Sequence, residues 1–251
     1  LADVGTDHAY LPVWLLLAGR IVGAVATDVN QGPLQRGQET AQRYGVAHRM
    51  DFRRCDGLAA LSPGEVDTVV IAGDISWGMS LEEAEADFAW LDALPGTKIL
   101  MKGNHDYWWN TASKMNRFFQ EKGFTTLRIL HNNCHLYGET ALCGTRGWFY
   151  EEDKPGQSQK VFHRELQRLE TSLKAAGDRE KLCFLHYPPC YTGYCCQPIL
   201  DLLTAYGVRA CYYGHLHGAS HRLALQGNRD GVDYHLVAAD YLRFHPEKIL
   251  E

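Results

Sequence analysis

The stretch DTVVIAGDISWG, Asp67 to Gly78, decides how this sequence folds. Its apolar run from Thr68 to Ile71 reads as a buried strand, and Ala72-Gly73 turns the chain at the strand's end. Asp74 then places a carboxylate at the carboxyl edge, where ligands bind in open α/β sheets. The residues before Gly73 and those after it belong to two different patterns, so this strand is also a seam. No Pro/Gly/Ser linker marks it. The expected organisation is a segment 1–73 followed by a domain 74–251.

Working outward, 251 residues hold one large domain or two small ones with a substantial core. Hydrophobic content of 45% and charged content of 22% are ordinary for a soluble globular protein. A net charge of −5 gives no general electrostatic reason to bind nucleic acid, although a local basic face is compatible with it. No apolar run reaches the roughly 20 residues that span a bilayer. LPVWLLLAG, from Leu11, is short and lacks a preceding basic region, so it does not read as a signal peptide. Eight cysteines are scattered through a chain too large to need staples, which predicts free thiols and a reducing cytoplasmic setting. The chain opens on Leu1 directly into an apolar segment and reads as truncated there.

Short β-rich runs alternate with helical patterns through the first half: LADVG, VGAVATDV, MDFRRCD, VDTVVIAG and KILMKG. GPLQRGQETAQRYG and SLEEAEADFAWLDAL read as helices between them, which predicts βαβ units and a mainly parallel sheet. ASKMNRFFQEKG has amphipathic spacing ending at a glycine. Further on strands grow denser: TLRILHNN, HLYGETALCGT, LCFLHY, RACYYGH, HRLALQG and VDYHLVAAD. A single long helical pattern, SQKVFHRELQRLETSLKAAG, interrupts them and reads as an amphipathic surface helix. The fold class is α/β.

Four motifs follow the seam: Gly73-Asp74, GNHD (Gly103 to Asp106), LHYPP (Leu185 to Pro189) and GHLH (Gly214 to His217). Each follows a strand-like run, which sets one carboxylate, one amide and several imidazoles at one sheet edge. A mixed O/N donor set of that kind suits Mn²⁺, Fe or Zn²⁺ better than Ca²⁺ or a thiolate site. Each motif by itself reads as a turn or a core histidine. The four in this order carry the chemical reading.

With GDISW, GNHDYWW, CGTRGW, RELQRLETSL, HYPP, YGHLHG and LVAADYL, residues 67–251 resemble the calcineurin-like metallophosphoesterases, in a bacterial predicted-phosphohydrolase subgroup. The resemblance implies an α/β sandwich and a hydrolase, a phosphatase acting on a small phosphorylated substrate. It implies that Asp74 bridges two metal ions, that Asn104, His186 and His215 complete the second ion's shell, and that His217 binds the first. His105 would donate to the phosphate or to the leaving oxygen, with Asp106 orienting it. Two cations about 3.5–4 Å apart would clamp the phosphoryl group and acidify a bridging water. The family's opening Asp-x-His strand has no counterpart ahead of Asp74, so the first ion keeps only Asp74 and His217.

Residues 1–73 carry LADVGTDHAYLP, ATDVNQGP, YGV, RCDGL and VDTVVIAG, which resemble the opening of the bacterial tRNA adenine-N1 methyltransferases. This implies a truncated Rossmann-like βαβ segment that would meet S-adenosylmethionine through Asp3, Gly5, Asp28 and Asp56, with Asp28 at the ribose hydroxyls. The chain leaves that pattern after Ala72-Gly73, so cofactor binding and methyl transfer are not the expected function, and the whole reads as a chimera.

Asp3, Asp7 and His8 are candidate substitutes for the missing metal ligands, Asp28-Val29-Asn30 a competing one; the favoured reading of Asp7 and His8 is a helix cap. CYTGYCCQP, with Cys190, Cys195 and Cys196, reads as a variable loop ahead of a soft-metal or redox loop. Trp108 and Trp109 read equally as stacking residues and as core. The leading expectation is phosphoester hydrolysis by a di-metal-activated water, impaired by the missing motif; the alternatives are an S-adenosylmethionine-binding tRNA methyltransferase remnant and an inactive hybrid.

Overall fold

The computed structural model describes residues 2–4, 9, 13, 16–17, 24–28, 31–54, 67–148, 157–242 and 248–250. It is a mixed α/β chain that divides into two compact units, Leu1–Glu65 with Ala239–Glu251 and Val66–Ala238.

In the first unit three parallel strands lie in chain order: β1 (Ala2–Val4), β2 (Ala24–Asp28) and β3 (Met50–Arg54). The register pairs Asp3 with Ala26, and Asp28 with Arg54. Parallel neighbours need a crossover, and α1 (Gln31–Arg43) supplies the one between β2 and β3. Leu34 and Ala41, seven residues apart, lie on its buried face. Ala41 packs with Val13, Leu16 and Val46, against which Met50 and Phe52 of β3 also lie.

Among the described residues the second unit holds a three-stranded and a six-stranded sheet besides a two-stranded hairpin. One is parallel, in the order β4 (Thr68–Ile71), β5 (Thr97–Leu100), β6 (Leu127–Ile129). The other has six strands: β7 (Cys134–Tyr137), β8 (Thr140–Thr145), β9 (Glu180–Leu185), β12 (Val208–Tyr213), β13 (Gly227–Arg229) and β14 (Val232–Leu236). They are ordered β13-β14-β12-β9-β8-β7, parallel from β14 to β8 with an antiparallel hairpin strand at either edge. Its inner strands read Leu-Cys-Phe-Leu and Ala-Cys-Tyr-Tyr because both faces are covered.

Four helices flank these sheets: α2 (Glu85–Ala93), α3 (Ala112–Lys122), α4 (Gln157–Ala175) and α5 (Gln197–Ala205). Phe88 of α2, Phe118 and Phe119 of α3 and Trp108 form an edge-to-face aromatic cluster, with Phe88 and Trp108 centroids 4.8 Å apart at 77°. Trp108 is thereby core, 2% exposed, while Trp109 is half-buried beside it. α4 and α5 contribute Leu169, Leu173, Ile199 and Leu203 to the core under the six-stranded sheet.

Three local expectations differ from the structure. α5 follows directly on the cysteine-rich run and has no counterpart among the expected helices, although Pro198 in its first turn and Ile199, Leu200 and Leu203 on its buried side are helix signals. HRLALQG, read as a strand, is largely a 3-10 turn from Gly218 to Leu223 with only a bridge from Ala224 to Tyr191. The loop around Cys190 is a hairpin, β10 (Cys190–Tyr191) against β11 (Tyr194–Cys195), whose register sets Cys190 opposite Cys195; the two form a disulfide rather than free thiols. Cys134, Cys143, Cys183, Cys196 and Cys211 are free. Among the described residues no helix is long and apolar enough to cross a membrane.

Candidate functional site

Within the second unit, the carboxyl ends of β4, β5, β9 and β12 converge. Gly73-Asp74 leaves β4, Gly103-Asn104 follows β5, His186 follows β9 and Gly214-His215 follows β12. The approach is close because two of the turns are glycine. A Cβ on Gly73, whose φ is +92°, would sit 2.6 Å from both the Gly103 Cα and the His186 Nδ1. Asp74 and His215 themselves hold left-handed backbone, φ 56° and 68°. Non-glycine residues held there mark places where the surroundings over-determine the backbone, as functional sites do.

The buried Asp106 carboxylate holds the two loops together. It is 1% exposed and accepts N–H bonds from Asp74 at 2.8 Å, Ile75 at 2.7 Å, Ser76 at 3.3 Å, Gly103 at 2.7 Å and the Trp108 indole at 3.0 Å. Ser76 adds a second clamp, its hydroxyl donating to Asp87 at 2.5 Å and accepting from the Gly78 N–H at 3.1 Å. The Asp74 carboxylate accepts the His105 backbone N–H at 2.8 Å. The His105 Nδ1 is buried and has no hydrogen-bond partner.

His186 donates from Nδ1 to the Ala72 carbonyl at 2.9 Å, which makes Nε2 the acceptor of a neutral ring. That nitrogen lies 2.6 Å from the Asn104 amide and 3.4 Å from Asp74, and His215 Nδ1 lies 2.9 Å from the same amide. The atom between the rings is the Asn104 Oδ1, an acceptor to which the His215 Nδ1–H can donate. Burial lowers the His186 pKa, opposed by the Asp74 carboxylate and the Ala72 carbonyl. The same desolvation, with the neighbouring His186, pushes His215 down to about 4. Both imidazoles are neutral at pH 7.

A cavity of about 330 Å³ opens beside this cluster, lined by Asp74, Ser76, Trp77, His105, His215 and His217. The structure thus brings together Asp74, Asn104, His105, His186, His215 and His217 and sets Asp106 behind them. Ser76 and Trp77 were given no role from sequence, although both lie in the deciding stretch. Among the described residues no group of three or more His, Cys, Asp or Glu side chains is placed to hold a metal ion. The Asn104 side-chain oxygen occupies the place between the imidazoles.

In the first unit Asp28 ends β2 at its carboxyl edge, and the parallel register sets Asp3 of β1 at the level of Ala26. That is where a cofactor's ribose lies in a βαβ nucleotide site, so the backbone placement fits S-adenosylmethionine. Gly5, Asp7, His8 and Asp56 lie outside the described residues, as do Val29 and Asn30 of the Asp28-Val29-Asn30 run.

Residues 1–74 match the model of a methyltransferase domain family. The tRNA (adenine(22)-N(1))-methyltransferase of Bacillus subtilis (strain 168) is 36% identical over 73 residues, 29% of this chain and 31% of that protein. The chain therefore spans about a third of the length of the curated relative it matches. Among solved structures, the M1A22 tRNA methyltransferase of B. subtilis is 34% identical, covering 34% of this chain and 36% of that one, with a TM-score of 0.26. A putative tRNA (m1A22) methyltransferase of Streptococcus pneumoniae in complex with S-adenosyl-L-methionine is 30% identical, covering 49% and 54%, with a TM-score of 0.27.

These findings correct the leading sequence reading. The calcineurin-like metallophosphoesterase assignment, with its sandwich, its phosphatase and phosphohydrolase activity and its place among hydrolases, gives way to methyltransferase, the class of the matching family and of the curated relative. Divalent metal ions give way as the expected cofactor to S-adenosylmethionine, which the sequence reading had set aside. The small phosphorylated substrate gives way too, because the curated relative is a tRNA methyltransferase. Net charge misled on that point, since −5 over the whole chain does not describe any one face. The motif reading misled for a related reason: short polar words at strand ends look alike whether their side chains surround an ion or satisfy one another.

Proposed function

We propose that residues 1–74 are the S-adenosylmethionine-binding segment of a methyltransferase that acts on tRNA adenine in the cytoplasm. The observation that carries this reading is the methyltransferase-domain match over that span, joined to the parallel β1-β2-β3 sheet that ends β2 on Asp28. In this reading Asp28, which ends β2, accepts from the ribose hydroxyls, and Asp3 of the neighbouring β1 belongs to the same cofactor site. When bound, the cofactor supplies an electrophilic methyl group. The chain's part is to orient it and to keep water from it.

A carboxylate taking ribose hydroxyls is worth about 1.5–3 kcal/mol, because hydrogen bonds to a charged group are the stronger kind. Asp28→Ala should therefore weaken S-adenosylmethionine binding by about tenfold or more, read by calorimetry on the full chain. A parent chain that takes up no S-adenosylmethionine at millimolar concentration would sink the reading, as would an Asp28→Ala variant that binds as well as the parent. Transfer of a labelled methyl group to unmodified tRNA tests the further step.

For the second unit the proposed site residues are Asp74, Asn104, His105, His186, His215 and His217 around the cavity, with Asp106 as the buried carboxylate that positions them. The observation behind that set is their convergence at four strand ends.

A further inference from the structure

We propose that the cavity beside Trp77 is a nucleobase-binding site, taking a base that carries an exocyclic amino group. Trp77 is 77% exposed, an unusual placement for the largest apolar side chain. Its exposure is held in place: the backbone N–H groups of Ile75 and Ser76 bond Asp106, and Ser76 clamps Asp87 and Gly78. The indole therefore stands as a fixed wall of the cavity, its ring 4.9 Å from His105 at 41°. Tyr107, also exposed, contributes a second ring 6.2 Å from the same imidazole.

The floor of the cavity is polar. Asp74 is an acceptor with lone pairs beyond the one that takes the His105 N–H. Ser76 is already committed on both sides and offers nothing. A purely apolar ring in this space would cover the Asp74 carboxylate without bringing it a donor, at about 1–3 kcal/mol. A sugar or a phosphate alone would leave the indole face uncovered. A nucleobase answers both, with a π-face for Trp77 and an edge of donors and acceptors for the floor. Because Asp74 only accepts, the base must bring a donor there, which an exocyclic amine supplies. The cavity volume of about 330 Å³ lies within the range of small-ligand pockets.

This inference does not rest on the methyltransferase reading, which concerns the first unit. The test is calorimetric titration of the full chain with adenosine and with purine riboside, in which a hydrogen replaces the amine and no ring N–H takes its place. Trp77→Ala and Trp77→Phe follow, with thermal melting to check that both remain folded. Base–aromatic stacking of about 1–3 kcal/mol predicts that Trp77→Ala binds adenosine roughly tenfold more weakly or worse, and that Trp77→Phe retains most of the affinity. Purine riboside should bind the parent about tenfold more weakly than adenosine does. Adenosine held in the first unit instead would bind Trp77→Ala as well as the parent, and that outcome overturns the proposal. So does an absence of adenosine binding at millimolar concentration, or equal affinity for purine riboside.

Discussion

Asp106 shows how much one side chain organises in this molecule. Five N–H groups from two separate loops and an indole point at its two oxygens, and it is buried. Exchanging one oxygen for an NH₂ sets a donor against donors and removes the charge that makes those bonds strong. Asp106→Asn should destabilise the fold by about 3 kcal/mol, measured as a lowered urea midpoint at unchanged m-value. A loss under about 0.5 kcal/mol, the level of an ordinary surface change, would show that the loops hold without it. The sequence made the Gly103-Asn104-His105-Asp106 word visible and suggested that Asp106 serves its neighbour His105. Its partners at Asp74, Ile75 and Ser76 are about thirty residues away in the chain, and no local spacing encodes a bond of that reach.

At the scale of elements, most strands and the longer helices were legible because their apolar periods are clean. α3 is the plainest case. The Thr111 side chain accepts the Lys114 N–H at its start, and Gly123 closes it in left-handed backbone, φ 75°. What could not be read was how closely two strand-end turns approach each other. Gly73 is needed both for its φ of +92° and because a Cβ would meet the Gly103 Cα and the His186 ring at 2.6 Å. Gly73→Ala should therefore cost roughly 2–6 kcal/mol, adding backbone strain to overpacking. Gly45→Ala is the control, since at φ +73° nothing lies within 4 Å of the added methyl and only the backbone term remains. Equal melting temperatures for the two variants would rule out the close approach as the larger cost.

At the scale of the whole molecule, the packing divides the chain between Glu65 and Val66, ahead of the change of sequence pattern at Gly73. β4 lies inside the methyltransferase match over residues 1–74, yet it packs within the unit Val66–Ala238 and pairs with β5. The change of pattern was legible because both halves carry recognisable words; which half names the chemistry was not, because motif order alone does not show how side chains satisfy one another. The second unit also carries a pH dependence that follows from burial. His131, His186 and His215 all have lowered pKa values, desolvation being the first cause in each, with His215 at about 4. In the unfolded chain these rings titrate near 6.5. As pH falls below that value the unfolded state binds protons that the folded rings refuse, so the unfolding equilibrium shifts toward the unfolded chain. Stability should be level on this account above about pH 7, decline from roughly pH 6.5 toward pH 4, and flatten once the folded rings protonate. His131 is the ring to remove, since it stands apart from the cavity lining and its pKa is lowered by desolvation and Arg168. His131→Gln should reduce the slope of unfolding free energy against pH between about 6.5 and 5 while leaving the stability near pH 8 less affected. An unchanged slope in that variant would mean that His131 titrates alike in both states.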